Sequence, residues 1–126
     1  MTPPLAAVDG YTRDAYSPAM IFVELPVFTR VAADLFGDDE LRGIQDMLLA
    51  DPEAGDVIPG GGGLRKLRVP LPGRGKRGGA RLIYYWWARR ERCYLVYAYA
   101  KNEQSDLTRE QLKALARVMK EETHDG

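Results

Sequence analysis

The chain has 126 residues, 45% hydrophobic and 29% charged, with 18 Lys and Arg balanced by 18 Asp and Glu. That length suits one domain with one core, and a single cysteine, Cys93, excludes an internal disulfide framework and suits a reducing compartment. The only histidine, His124, stands in the terminal Thr-His-Asp-Gly, where chains fray, so catalysis through a held imidazole and His-containing zinc sites are set aside.

Residues 1–19 carry Pro3-Pro4, Gly10 and Pro18 without sustained periodicity and read as a poorly ordered leader, with Met20 as the expected natural start. Met20–Leu25 reads as a strand. Pro26 fits a first helical position, and Phe28, Val31, Ala32 and Leu35 recur at helical spacing until Gly37. Asp38 or Asp39 is the expected cap of a second helix, whose apolar face is Leu41, Ile44, Met47 and Leu48 and which Pro52 stops. Pro52–Gly63 reads as a loop. Its Gly60-Gly-Gly-Gly63 end serves as a plain connector, the other use of such a run being close approach to phosphate.

From Leu64 the period changes to two. Leu67, Val69 and Leu71 share one face, while Lys66 and Arg68 share the other, roughly 7 Å apart at about 3.3 Å per residue. Ala80–Trp87 is apolar on both faces except for Arg81, and Cys93–Ala100 returns as a second central strand after a turn at Arg89–Arg92. Cys93 there reads as a small buried packing residue. Thr108 with Gln111 resembles a capping box opening a last helix with the stripe Leu112, Leu115, Ala116 and Met119. The order β-α-α-β-β-β-α implies an α+β fold: an antiparallel sheet with two N-terminal helices packed on it and a C-terminal helix. The expected domain covers residues 20–123, with 124–126 as a tail. No apolar run approaches the roughly 20 residues of a membrane helix and no secretory signal is visible, so a cytoplasmic protein is expected.

The zero net charge hides a strong asymmetry. Ten of the 18 Lys and Arg lie within Leu64–Arg92, against one acid, Glu91, leaving eight basic and 17 acidic residues elsewhere. A positive field so concentrated serves a polyanion, since neutralising phosphates releases counterions and steers encounter. Gly73-Arg-Gly-Lys-Arg-Gly78 matches the dinucleotide fingerprint by letter, but a strand follows it where a helix is required. A basic hairpin tip lying along a phosphate backbone is the better reading. Lys66, Arg68 and Arg81 form the sharper constellation: paired strands bring them to one face, where like charges repel unless an anion neutralises them. The aromatic residues of both central strands are mostly packing, with Tyr97 and Tyr99 left as candidates for base stacking.

Three ordered motifs carry a resemblance: Gly63-Leu-Arg-Lys-Leu-Arg68, Gly75-Lys-Arg-Gly-Gly-Ala-Arg-Leu-Ile-Tyr-Tyr85, and Tyr99-Ala-Lys-Asn-Glu-Gln-Ser-Asp-Leu107. Together they resemble the HigB branch of the RelE-type toxins of bacterial type II toxin–antitoxin modules, over about Met20 to Glu122. The resemblance implies a RelE-like microbial RNase-type fold and a ribosome-dependent endoribonuclease that cuts messenger RNA. It also implies a cognate helix-turn-helix antitoxin, through which alone the protein would meet DNA. The family's strand cations fall on Lys66 and Arg68, its strand arginine on Arg81, and its post-strand motif on Lys101–Asp106. The best-known RelE members place arginine where Asn102 stands and tyrosine where Thr108 stands; the Lys-Asn-Glu variant of the motif puts Lys101 forward instead.

The expected catalytic residues are therefore Lys66, Arg68, Arg81 and Lys101, and the expected RNA-binding residues are Arg65, Arg74, Lys76, Arg77, Tyr99 and Asn102. Histidine is not needed. The 2′-OH of RNA is the nucleophile, Arg81 suits the phosphorane through its planar fork, and Lys66 or Lys101 is the candidate base, with no metal or cofactor. Two other readings stand beside this one: an RNA- or ribosome-binding translation inhibitor that does not cut, and a degenerate, non-toxic family member.

Overall fold

The computed structural model describes residues 20–72 and 78–124. Its elements are β1 (Ile21–Glu24), α1 (Pro26–Leu35), α2 (Asp38–Ala50), β2 (Asp56–Val57), β3 (Arg65–Val69), β4 (Ala80–Trp87), a 3-10 turn at Ala88–Arg90, β5 (Arg92–Ala100) and α3 (Arg109–Glu122). They make one open five-stranded sheet in the order β1-β5-β4-β3-β2.

Period-two alternation sorts the sheet into two apolar layers. Leu67, Val69, Leu82, Tyr84, Cys93, Leu95 and Ala98 join Phe28, Ala32, Ile44 and Leu48 of α1 and α2. The opposite layer joins Leu64, Ile83, Tyr94, Val96 and Tyr99 to Leu115 and Met119 of α3. α3 therefore lies across the sheet from the other two helices. A register shift between Ile83 and Tyr84 of β4 accommodates an extra residue in β5 and lets both strands stay apolar on both faces. Burial pushes the Cys93 thiol up to about 12, so Cys93 behaves as a packing residue.

The structure departs from the sequence reading at three places. The sheet is mixed, because β1 pairs in parallel with β5, Ile21 opposite Arg92 through Glu24 opposite Leu95; the pairs β2–β3, β3–β4 and β4–β5 are antiparallel. The expected loop Pro52–Gly63 contains the two-residue edge strand β2, paired with β3 at Asp56–Lys66 and Val57–Arg65. Gly37, not Asp38 or Asp39, is the N-cap of α2: its N–H donates to the Glu40 carboxylate at 2.8 Å, and both aspartates enter the first turn, where the helix dipole favours acids. The capping box of α3 is as expected, with Gln111 N–H donating to Thr108 Oγ1 at 3.0 Å and Thr108 N–H to Gln111 Oε1 at 2.9 Å.

A row of cations on the α3 face of the sheet

One sharp turn sets the site. Gly78 and Gly79 have φ of +76° and +66°, a region costly for residues with a Cβ. A Cβ on Gly79 would also run into the Val69 carbonyl oxygen, so glycine is what lets the chain re-enter the sheet tight against β3. The N–H of Lys101 donates to the Gly79 carbonyl at 2.9 Å, tying the end of β5 to the same turn.

From there the register lays out the site. Arg68 of β3 is opposite Arg81 of β4, and Arg81 is opposite Tyr99 of β5. In the next row Lys66 is opposite Ile83, and Ile83 opposite Tyr97. All of these side chains belong to the α3 face. The structure thus brings Lys66, Arg68 and Arg81 together on one side of the sheet. One Arg81 guanidinium nitrogen donates to the carbonyls of Gly78 at 2.8 Å and Ala80 at 3.3 Å, which aims the fork while leaving its remaining N–H groups for an anion. Lys101 adjoins the same turn, its side chain beside Gly78 and its Nζ donating to the Ser105 carbonyl.

Asp106, which has no local signal in the sequence, completes the cluster. Its carboxylate accepts from Lys66 Nζ at 3.1 Å, from the Tyr99 hydroxyl at 3.4 Å and from the Leu107 N–H at 2.8 Å. The bond from Lys66, reinforced by the Leu107 N–H, holds the Asp106 carboxyl below its ordinary range. Burial, with the neighbouring Asp106, pushes the Tyr99 phenol up to about 12, so it remains a hydrogen-bond donor near neutrality. Gln104 fixes the approach: its Nε2 donates to the Asp106 carbonyl at 2.9 Å and to Gln111 Oε1 at 2.6 Å, coupling the post-strand turn to α3. Beside this cluster, Lys66, Asp106, Leu107 and Leu112 form one wall of a cleft of about 480 Å³ closed by Asp56–Pro59.

The other expected residues fall differently. Arg65 is not with the cations: it has the opposite parity, and its guanidinium donates to the carbonyls of Gly55 at 2.8 Å and Glu53 at 3.2 Å, fastening the loop before β2. Tyr99 is 5% exposed, so its covered ring supports Arg81 and Asp106 and offers no open face for a base; Tyr97 is half-buried. Asn102 is exposed in the turn after β5. Arg74, Lys76 and Arg77 lie outside the described residues, as does the leader 1–19. Among the described residues, no cluster of three or more His, Cys, Asp or Glu is arranged to hold a metal, and no helix is long and apolar enough to cross a membrane.

The fold resembles a doubly substituted variant of the E. coli toxin RelE in its free state, with a TM-score of 0.52, 13% identity, and coverage of 81% of this chain and 98% of that one. A second similar structure is the intact E. coli RelBE toxin-antitoxin complex, with a TM-score of 0.49, 16% identity, and coverage of 65% and 96%. At such identities the first of these speaks for the fold. Residues 28–124, most of the chain, match the family model described as the RelE toxin of the RelE/RelB toxin-antitoxin system. The mixed sheet with three helices and the cationic row on its α3 face are thus the frame of a chain that belongs to the RelE toxin family.

Proposed function

We propose that this protein is the toxin of a type II module of the HigB kind, a cytoplasmic endoribonuclease that cleaves messenger RNA on the ribosome and is neutralised by a helix-turn-helix antitoxin. The observation that carries this reading is the cross-strand pair Arg68 and Arg81 with Lys66 one row away. Arg68 and Arg81 repel one another across the strands, Lys66 being already paired with Asp106, and a phosphodiester relieves that repulsion. Arg81, aimed by the Gly78 and Ala80 carbonyls, meets the phosphorane with donors that stay charged at any working pH. The 2′-OH attacks the adjacent phosphorus, its proton passing to the neutral amine of Lys66 or Lys101, and the 5′-oxygen leaves as an alcohol, taking a proton from the ammonium so formed, to give a 2′,3′-cyclic phosphate. Each lysine takes that role once its partner, Asp106 or the Ser105 carbonyl, is displaced and its ammonium has given up a proton to solvent. Primer extension on messenger RNA, with ribosomes present and EDTA added, tests the reading. Cleavage that Arg81→Ala abolishes supports it; strict metal dependence, or unaltered cleavage in that variant, refutes it.

The occupied state of both lysines favours a second reading, in which the protein binds RNA or the ribosome and stops translation without cutting. It predicts growth arrest with intact transcripts, whereas a degenerate family member would be harmless on expression.

A further inference from the structure

The Gly60–Gly63 run is more than a connector. Gly60, Gly62 and Gly63 have φ of +75°, +66° and +104°, and Gly61 donates its N–H to the Ile58 carbonyl at 2.9 Å. The turn is pressed onto α3: a Cβ on Gly61 would lie 3.3 Å from Leu112 Cδ1, and one on Gly62 would lie 4.0 Å from Ala116 Cβ. Gly60 projects toward open space. Gly60 and Gly62, with Tyr85 of β4, form the floor of a groove of about 500 Å³ whose other wall is α3 at Lys113, Arg117 and Lys120.

Those three cations recur at i, i+4 and i+7 and so share one helix face. Lys120, in the last turn, suits the helix dipole. Lys113, one turn into the helix, does not, and it has Arg117 as a like-charged neighbour four residues on; the acids at neighbour spacing on the helix are Glu110, three residues before Lys113, and Glu121, four after Arg117. None of the three has an ion pair among the described residues. A side-chain-free floor beside a row of unpaired cations admits a phosphate backbone closely. Tyr85 is half-buried with its ring packed on Gly63, and it shares its sheet face with Arg81, about 13 Å away along β4 at the usual rise.

The groove also lies next to the cleft of the cationic site along the same loop and helix. The cleft at Lys66 and Asp106 is lined by Ile58, Pro59 and Leu112, and the glycine groove begins at the next residues of the same loop and helix, Gly60 and Lys113. We propose that the α3 flank formed by Lys113, Arg117 and Lys120 over the Gly60–Gly63 turn is a second phosphate-binding track, which holds the single-stranded RNA on one side of the scissile bond. This rests on the reading of the sheet face as an RNA-cleaving site. The adjacency of the two grooves, at Pro59–Gly60 and Leu112–Lys113, favours the strand that already enters the first over an acidic protein segment.

The test is the salt dependence of binding of a labelled 12-nucleotide single-stranded RNA to the whole protein, compared with its Lys113→Gln/Arg117→Gln variant. Single-strand binding loses about 0.7 in log–log salt slope per phosphate contact, so the double variant should bind more weakly and with a slope shallower by about 1.4. Adding Lys120→Gln should lower the slope again. An unchanged slope overturns the track, and so does a polyglutamate probe that loses affinity in parallel with the RNA, which would mark a dock for an acidic segment. Ribosome-dependent cleavage by Arg81→Ala is read separately. Its persistence would refute the assigned chemistry while the slopes still decide the track, and a lost track with Arg81-dependent cleavage would leave the chemistry standing.

Discussion

Arg68 and Arg81 are direct cross-strand partners on adjacent strands of one sheet, a like-charged pair facing the α3 side. Opposed like charges destabilise a sheet, by about 0.2–1 kcal/mol relative to neutral pairs. Arg68 is exposed and Arg81 is held by the backbone, so the neutral replacement belongs at Arg68. Arg68→Thr should raise the urea midpoint, by a stability gain of about 0.2–1 kcal/mol, while lowering activity. Millimolar phosphate should narrow the stability difference. A variant less stable than the parent in phosphate-free buffer would contradict the pair's functional explanation.

Asp106 supplies a pH signature. Its carboxyl is held below its ordinary range in the folded protein by Lys66 first and the Leu107 N–H second. A depressed folded-state value means the stabilisation is fully present above the unfolded value, about 3.9, and is lost as the pH falls through the folded one. The Asp106 side chain is 62% exposed, which limits the contribution to about 0–1 kcal/mol. Asp106→Asn should therefore be slightly less stable than the parent near pH 6 and converge with it below about pH 4. Equal stability of the two proteins at pH 6 would show the ion pair to be energetically idle. If Lys66 is the base, the same substitution raises the cleavage rate by freeing its Nζ; a loss of rate would give Asp106 a positioning role.

Much of the site is legible in the chain because strand alternation is a local property. Lys66 and Arg68 share a face by parity, and Arg81 is conspicuous as a charge inside an apolar run. The same parity sets Arg65 apart, so grouping it with its basic neighbours by charge alone misplaces it. Asp106 was hidden for a different reason: its partner Lys66 is 40 residues away, and nothing local signals that the post-strand turn folds back over β3. The parallel pairing of β1 with β5 and the placement of α3 across the sheet are likewise decided by long-range packing. Two-residue β2 is too short to carry a period.

Tyr84 holds the loop that brings β2 to the sheet edge. Its hydroxyl donates to the Pro52 carbonyl at 2.9 Å and accepts from the Gly55 N–H at 2.9 Å, and the ring is fully buried among α1 and α2 side chains. Tyr84→Phe keeps the ring but leaves a buried donor and acceptor unpaired, which costs about 1–3 kcal/mol. The expected result is a lowered melting midpoint with cleavage nearly unchanged, because Tyr84 faces away from the cationic row. Hydrogen exchange at Gly55 should rise most. An unchanged midpoint would show that the loop holds without this anchor.

Gly78 and Gly79 separate scaffold from chemistry. Both have positive φ, so an alanine at either is strained by its backbone alone. At Gly79 the new Cβ would strike the Val69 carbonyl oxygen and crowd Pro70 Cα at 3.2 Å, both of them backbone that cannot step aside. Gly79→Ala should force β3 and β4 apart where Arg68 meets Arg81, lowering stability and activity together. At Gly78 the new Cβ meets only the Lys101 side chain, Cγ at 3.1 Å and Cβ at 3.3 Å, and the far part of that chain can swing. Gly78→Ala should cost less stability and act on cleavage through Lys101. Combining it with Lys101→Gln tests that route: if Gly78→Ala acts through Lys101, the double variant is no slower than Lys101→Gln alone. Equal destabilisation by Gly78→Ala and Gly79→Ala would show the backbone strain to dominate and the Val69 contact to be relieved by a small shift of the turn.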